Sequence, residues 1–334
     1  NSYCGVGALS QTFIQAFPEV RNMLSKNGYE VDLHLMTIDL VSESLGYDES
    51  VKEISEEIVD ECGGEIHFIA NGSNGMIPFG DLNNWEFASH SASSKINEIA
   101  KDYDEVLVYL IDTPFLHASR YINDITEFKS GNLVKSLLVL HSDVLIHEPN
   151  DPSFARLSWE ASIFKYSQVN KNIFIASTSE FVENHLSNNY GISEFIPLQT
   201  GILPTSSRYE LVNDSKIRQL LKKYKIPLDK ELIFSVGRAV DYKGFDLLIE
   251  SVSKMESDTH LVFVASPYKT ESSNVNELRN LLNKVDISVT PIFDLDFELP
   301  KFISQWKNTK IVAQLSRREP FGLVPEEVRM WGRG

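Results

Sequence analysis

The chain has 334 residues, 42% apolar and 23% charged, a length that suits two domains with separate cores and a composition ordinary for a soluble protein. Its formal net charge of −16 excludes the clustered basic face that nucleic acid or an anionic membrane surface requires. Two cysteines, Cys4 and Cys62, are too few for a disulfide framework and lack metal-ligand spacing, so a cytoplasmic protein is expected; no apolar run reaches the length of a membrane span.

In chain order, Gly5-Val6-Gly7 predicts a glycine-rich turn running into a helix with Leu9, Phe13 and Ala16 on one face. Alone, this is equally an ordinary turn. Tyr29–Met36 alternates like a strand. Glu43, Asp48, Glu49, Glu53, Glu56, Glu57, Asp60 and Glu61 follow in one window and read as a solvated helix face. Glu65–Ala70 reads as a short strand, 71–85 as a loop and 90–101 as a helix. Buried-strand runs end at Asp112, at His141 and at Ser177, the last followed by a helix over about 180–189 capped by Thr178 or Ser179. Strands alternating with helices imply a parallel sheet covered on both faces.

Residues 200–231 change character: a turn, polar residues, then a basic helix around 215–225, which reads as a link between domains. A second series opens with Leu232–Val236, with further strands at His260–Ala265, Asp286–Pro291 and Lys310–Leu315, and helices at 274–284 and 298–307. The predicted domains are therefore 1–203 and 204–334.

Two stretches of this second half carry chemistry. In the first, a strand ends in Gly237-Arg238, and Lys243-Gly244 opens a helix whose apolar face is Phe245, Leu248, Val252 and Met255. Two cations beside a helix N-terminus suit a diphosphate, although two solvated surface cations are the bland alternative. In the second, Glu319 and Glu327 bracket Pro320-Phe321-Gly322-Leu323-Val324-Pro325-Glu326. This reads as strand, acidic loop and helix start, with Pro325 at the first helical position, and it lies where α/β sheets bind ligands. By themselves the two carboxylates also suit general acid/base work. Asp294-Leu295-Asp296 matches a metal-binding pair only formally and reads as a turn entering a helix.

Together, Gly237-Arg238…Lys243-Gly244 and the Glu319…Glu327 pair resemble the retaining glycosyltransferases of the GT-B fold, the family-4 group. That resemblance implies an α/β protein of two Rossmann-like domains facing across a cleft, the N-terminal one holding the acceptor and the C-terminal one a nucleotide sugar. It implies that Arg238 and Lys243 stabilise the leaving diphosphate, so that no metal or other cofactor is needed. It implies that Glu319 and the amides of Phe321, Gly322 and Leu323 hold sugar and phosphate, and that Glu327 accepts the ribose hydroxyls. Gly5 and Gly7 then look like the family's N-terminal glycine loop, and His141 like its active-site histidine, with His147 a competing candidate and Asp112 facing the acceptor. The expected partners are a nucleotide sugar, UDP-linked by default, and a small-molecule or glycan acceptor with a free hydroxyl. The acceptor would be set by loops at 71–94, 112–130 and 142–160. Two readings compete: a nucleotide-sugar epimerase or phosphorylase on the same fold, and a catalytically silent GT-B subunit that binds a glycosylated partner. The family continues past Glu327 with small residues. Here Val328-Arg329-Met330-Trp331 is bulkier and the chain stops at Gly334, so both ends are expected to be cut, and an N-terminal membrane anchor stays open.

Overall fold

The computed structural model describes residues 5–38, 49–72, 81–111, 113–124, 133–267, 273–294, 296 and 298–331. The chain divides into two compact units, Asn1–Leu203 and Pro204–Gly334.

The first unit runs α1 (Gly5–Lys26), β1 (Leu35–Ile38), α2 (Glu49–Glu61), β2 (Ile66–Ile69), α3 (Leu82–Ile99), β3 (Glu105–Ile111), α4 (Ala118–Asp124), β4 (Leu133–Val139), α5 (Val144–His147), α6 (Phe154–Ser167), β5 (Ile173–Ser177), α7 (Glu180–Tyr190) and β6 (Ile196–Pro197). β3, β4, β5 and β6 form a parallel sheet in that order, and β1 pairs β2 in parallel. Leu138, Ile175, Ile163 and Phe164 centre the core between sheet and helices. Ser179 caps α7 by accepting from the Val182 amide, one of the two caps expected, and Gly191 closes it with a φ of 71°.

Three sequence expectations fail here. The glycine turn is absent: α1 already begins at Gly5, so Gly5 and Gly7 lie in its first turn. The helix buries Ile14 and Phe17 rather than the expected stripe, and Phe13 is exposed on one side while stacking on Tyr109 at 5.0 Å. Residues 29–34 form no ladder, because β2 supplies a parallel partner only from Leu35 onward. Their polar members bond elsewhere: the Tyr103 hydroxyl donates to Asp32, and Arg21 donates to Val31 O. The Tyr29 and Leu33 amides likewise donate to Leu24 O and Cys62 O, so backbone pairing here is met outside a ladder. Finally, α3 begins at Leu82, inside the stretch expected to be a loop to residue 85, and the Asp81 carboxylate caps it by accepting from the Asn83 and Asn84 amides.

The second unit runs α8 (Asp214–Lys223), β7 (Glu231–Arg238), α9 (Phe245–Val252), β8 (Thr259–Ser266), α10 (Ser273–Leu282), β9 (Val289–Ile292), α11 (Leu299–Gln305), β10 (Thr309–Val312) and α12 (Leu323–Met330). Its four strands are all parallel, in the order β10-β7-β8-β9. The period-2 alternation of β7 and β8 feeds two cores. Leu232, Phe234, Val262 and Val264 meet α8 and α11 on one face; Ile233, Leu261, Phe263 and Ala265 meet α9 and α10 on the other. A sheet buried on both sides is what parallel pairing requires. α9 ends at Val252, so Met255, expected on its apolar face, is outside the helix and exposed.

His260 on β8 is buried between the hydroxyls of Ser288 and Thr290, at 2.7 and 2.8 Å. Burial, and to a smaller extent Lys230, pushes its pKa down from 6.5 to about 4. The unfolded chain therefore binds the proton first. His260 contributes stability that is present above about pH 6.5 and lost as pH falls toward about 4, on the order of 3 kcal/mol. Urea unfolding of His260→Gln across that range should show a flatter pH profile than the parent protein; an unchanged profile would refute the assignment.

Candidate functional site

The strand order of the second unit has a reversal. The chain steps outward from β7 through β8 to β9, then returns to place β10 on the other side of β7. The loops leaving the carboxyl ends of β7 and β10 therefore meet at this reversal, the usual ligand position in an open parallel sheet. Both sequence motifs lie on these two loops.

β7 ends at Arg238, a short 3-10 turn spans Asp241–Lys243, and Gly244 at φ 68° starts α9. A Cβ on Gly244 would lie 2.0 Å from Leu315 O, so only glycine lets the two loops approach this closely. The Arg238 guanidinium donates to the Tyr242 hydroxyl and lies over its ring at 5.7 Å; the Lys243 ammonium sits 5.6 Å from the same ring. Tyr242 thus forms a buried aromatic base for both cations.

Lys243 does not point freely into solvent. Its Nζ lies 2.5 Å from Glu319 Oε2, which also accepts from Gln314 at 2.6 Å and from Ser316 at 3.0 Å. Arg317 fastens the loops a second time. Its amide donates to Tyr242 O, one guanidinium nitrogen donates to Asp241 O, and the fork grips Asp246 at 2.9 and 2.5 Å. The Arg317 fork holds the Asp246 carboxyl below its ordinary value, against a smaller opposing effect of burial. The diphosphate and sugar residues expected from sequence, Lys243 and Glu319, are thus brought into contact across 76 positions of chain.

α12 begins at Leu323, with Gly322 at φ 79° as its cap, so Pro325 stands third in the helix rather than first. Proline is tolerated there because none of the first four helical amides has an intrahelical acceptor. For the same reason the Gly322 and Leu323 amides stand where an anion or sugar oxygen can be received. Glu327 is buried, and its carboxylate meets Arg208 at 2.6 Å. Burial raises its pKa, and Arg208 opposes that rise. Asp296 serves structure: it accepts from the Glu298 and Leu299 amides and from the Tyr224 hydroxyl.

Gly5, Gly7 and His141 belong to the first unit. His141 is buried directly after β4, and its neighbour Ser142 accepts Thr113 Oγ1 at its carbonyl at 2.9 Å. His147, the competing candidate, bonds the Ser142 hydroxyl. Asp112 and Cys4 lie outside the described residues, as do parts of the proposed acceptor loops.

Sequence reasoning missed Arg208, Tyr242, Gln314, Ser316 and Arg317. The last four sit inside or beside the motifs and carry no periodicity of their own. Arg208 lies in the stretch read as a link, where no local pattern marks it.

The arrangement is that of the GT-B fold, with Rossmann-like α/β units. Residues 216–330 match the family of glycosyl transferases group 1. Solved structures of similar fold include a glycosyltransferase from Rickettsia africae, 17% identical over 97% of this chain and 75% of that one, with a TM-score of 0.59. The Anabaena protein HepE in complex with UDP and glucose is 17% identical over 90% of this chain and 79% of its own, with a TM-score of 0.60. The catalytic domain of starch synthase IV from Arabidopsis thaliana, bound to ADP and acarbose, is 13% identical over 99% and 78%, with a TM-score of 0.65. No curated protein matches the chain in sequence. Among the described residues, no helix is long and apolar enough to cross a membrane.

Proposed function

We propose that the protein is a glycosyltransferase that moves a sugar from a nucleoside diphosphate, UDP by default, to a hydroxyl of a soluble acceptor with retention of anomeric configuration. The observation that carries this reading is the contact of Lys243 with Glu319, with Arg238 on the same Tyr242 ring as Lys243, at the strand-order reversal of a segment that matches glycosyl transferases group 1. In this reading the second unit holds the donor and the first unit the acceptor.

Breaking a sugar–diphosphate bond builds positive charge at the anomeric carbon and negative charge on the leaving oxygen. Arg238 and Lys243 receive the leaving diphosphate without a metal, and cations already on the phosphate when the bond breaks need no reorganisation in the chemical step. Lys243 must pass from Glu319 to the phosphate when the donor arrives. Glu319, still held by Gln314 and Ser316, is then positioned for sugar hydroxyls. Glu327 takes the ribose hydroxyls, and His141 contacts the transferred sugar. The acceptor oxygen attacks the face from which the diphosphate departs, and its proton passes to the departing phosphate oxygen.

The test is a screen of nucleotide sugars without acceptor, following slow hydrolysis, combined with calorimetry on the parent protein and Glu327→Ala. One nucleotide sugar should be hydrolysed, and Glu327→Ala should bind it at least about tenfold more weakly. No binding by any donor, or no effect of the substitution, overturns the donor assignment.

A further inference from the structure

The turn at Ser207–Tyr209 precedes the segment that matches the family, yet it is built onto the end of that segment. The Trp331 indole donates to Arg208 O at 3.2 Å, and the Tyr209 and Trp331 rings pack at 6.4 Å, both side chains buried. This docking carries the Arg208 guanidinium to Glu327 at 2.6 Å, with the carboxylate side chain 10% exposed and the arginine 45% exposed. One end of the pair is thus inside the protein and the other is open to solvent.

We propose that Arg208 is a positioning residue of the donor site, one that keeps Glu327 ionised and oriented to accept both ribose hydroxyls and so makes the site selective for ribonucleoside diphosphates. The inference rests on the donor reading above and adds to it a residue from the inter-domain stretch. A carboxylate accepts two hydroxyl protons only when it is ionised; once protonated, it turns one oxygen into a donor. Burial alone drives Glu327 toward the protonated form, and Arg208 opposes this. Other titratable or charged groups around the pair are few. The Tyr209 phenol, pushed up to about 12 mainly by burial, stays neutral across the working range. Lys301 on α11 interacts with the arginine end, and also with Glu210 and Glu298. Glu326 is turned to Arg329 on the outer side of α12.

The experiment uses UDP, ADP and their 2′-deoxy counterparts as calorimetric probes of the full chain, with Arg208→Gln, Arg208→Lys and Glu327→Gln. At pH 7 the parent should prefer ribose over 2′-deoxyribose roughly tenfold, and Arg208→Gln should bind both forms alike. Raising the pH should move the preference of Arg208→Gln toward that of the parent, because burial without the opposing arginine favours the protonated carboxyl and higher pH removes that proton; Arg208→Lys should retain most of the preference. A merely structural role for Arg208 would weaken both probe classes equally at every pH. A ribose preference that survives in Arg208→Gln at pH 7 overturns the inference while leaving the donor reading intact. A second measurement needs no nucleotide: the Glu327 carboxyl, followed by carbon-13 NMR, should titrate higher in Arg208→Gln than in the parent. An unchanged titration overturns the inference whatever the probes do, and a parent that binds no nucleoside diphosphate overturns both.

Discussion

Lys243→Ala is expected to lower donor turnover by roughly 10²- to 10³-fold while leaving the protein folded. In the proposed function the lysine is the cation that follows charge onto the leaving diphosphate; it rises from the first turn after β7 and is backed by the Tyr242 ring. Its removal opens no large void: the side chain is partly exposed, and Glu319 keeps two other donors, Gln314 and Ser316. The thermal midpoint should therefore move by only a few degrees, as for other partly exposed ion pairs. Hydrolysis of donor in the absence of acceptor, measured beside a melting curve, separates the two effects. Glu319→Ala made in the Lys243→Ala background should change rate less than it does alone, since contacting residues are not additive. Loss of turnover together with a collapse of the melting point would mean that the pair serves the fold and not the reaction.

Glu160→Ala should destabilise the first unit by about 3–5 kcal/mol, the usual consequence of stranding one charge of a buried pair. Arg156 and Glu160 are 3% and 0% exposed at their side chains and meet at 2.7 Å, one turn apart on α6. The arginine lies over the Trp85 ring at 5.2 Å, and the second Glu160 oxygen accepts the Val144 amide at the start of α5. Deleting the carboxylate therefore takes the 2.7 Å carboxylate contact from a buried guanidinium and releases the segment just after His141 and Asp143. Burial raises the Glu160 pKa to about 7 against the opposing effect of Arg156, so the loss should be measured above pH 7, where the carboxylate is ionised. Guanidinium unfolding would measure the loss. The double replacement Arg156→Met, Glu160→Leu should be milder than Glu160→Ala alone, because it leaves no charge unpaired. A loss below about 1 kcal/mol for Glu160→Ala would show that the unit relaxes around the site.

No local pattern announces the contact of Lys243 with Glu319, and the helical spacing of Arg156 and Glu160 does not show that Trp85 and the Val144 amide enclose that pair. Local chemistry was enough for much of the second unit. β7 and β8 were legible because alternating apolar residues bury both faces of a parallel strand, and α9 because Phe245, Leu248 and Val252 recur at helical spacing after a glycine. The motif residues were legible for a related reason: a Gly-Arg, a Lys-Gly and two spaced glutamates mark loop and helix-start chemistry within a few residues of one another. The same local reading failed where partners decide. Residues 29–34 alternate but face no strand, and Gly5 and Gly7 permit a turn but are drawn into a helix whose Ile14 and Phe17 are buried.

What the amino-acid order determined by itself was therefore the set of elements with strong periodicity and the chemical inventory of the loops after β7 and β10. Only the tertiary structure decided that β10 returns beside β7, that Lys243 rests on Glu319, and that Arg208 reaches Glu327 from outside the motif segment. The physical reason is range. Periodicity and capping are settled within a turn or two of chain, whereas these pairings close loops of about a hundred residues and exist only once two hydrophobic cores have placed their strands.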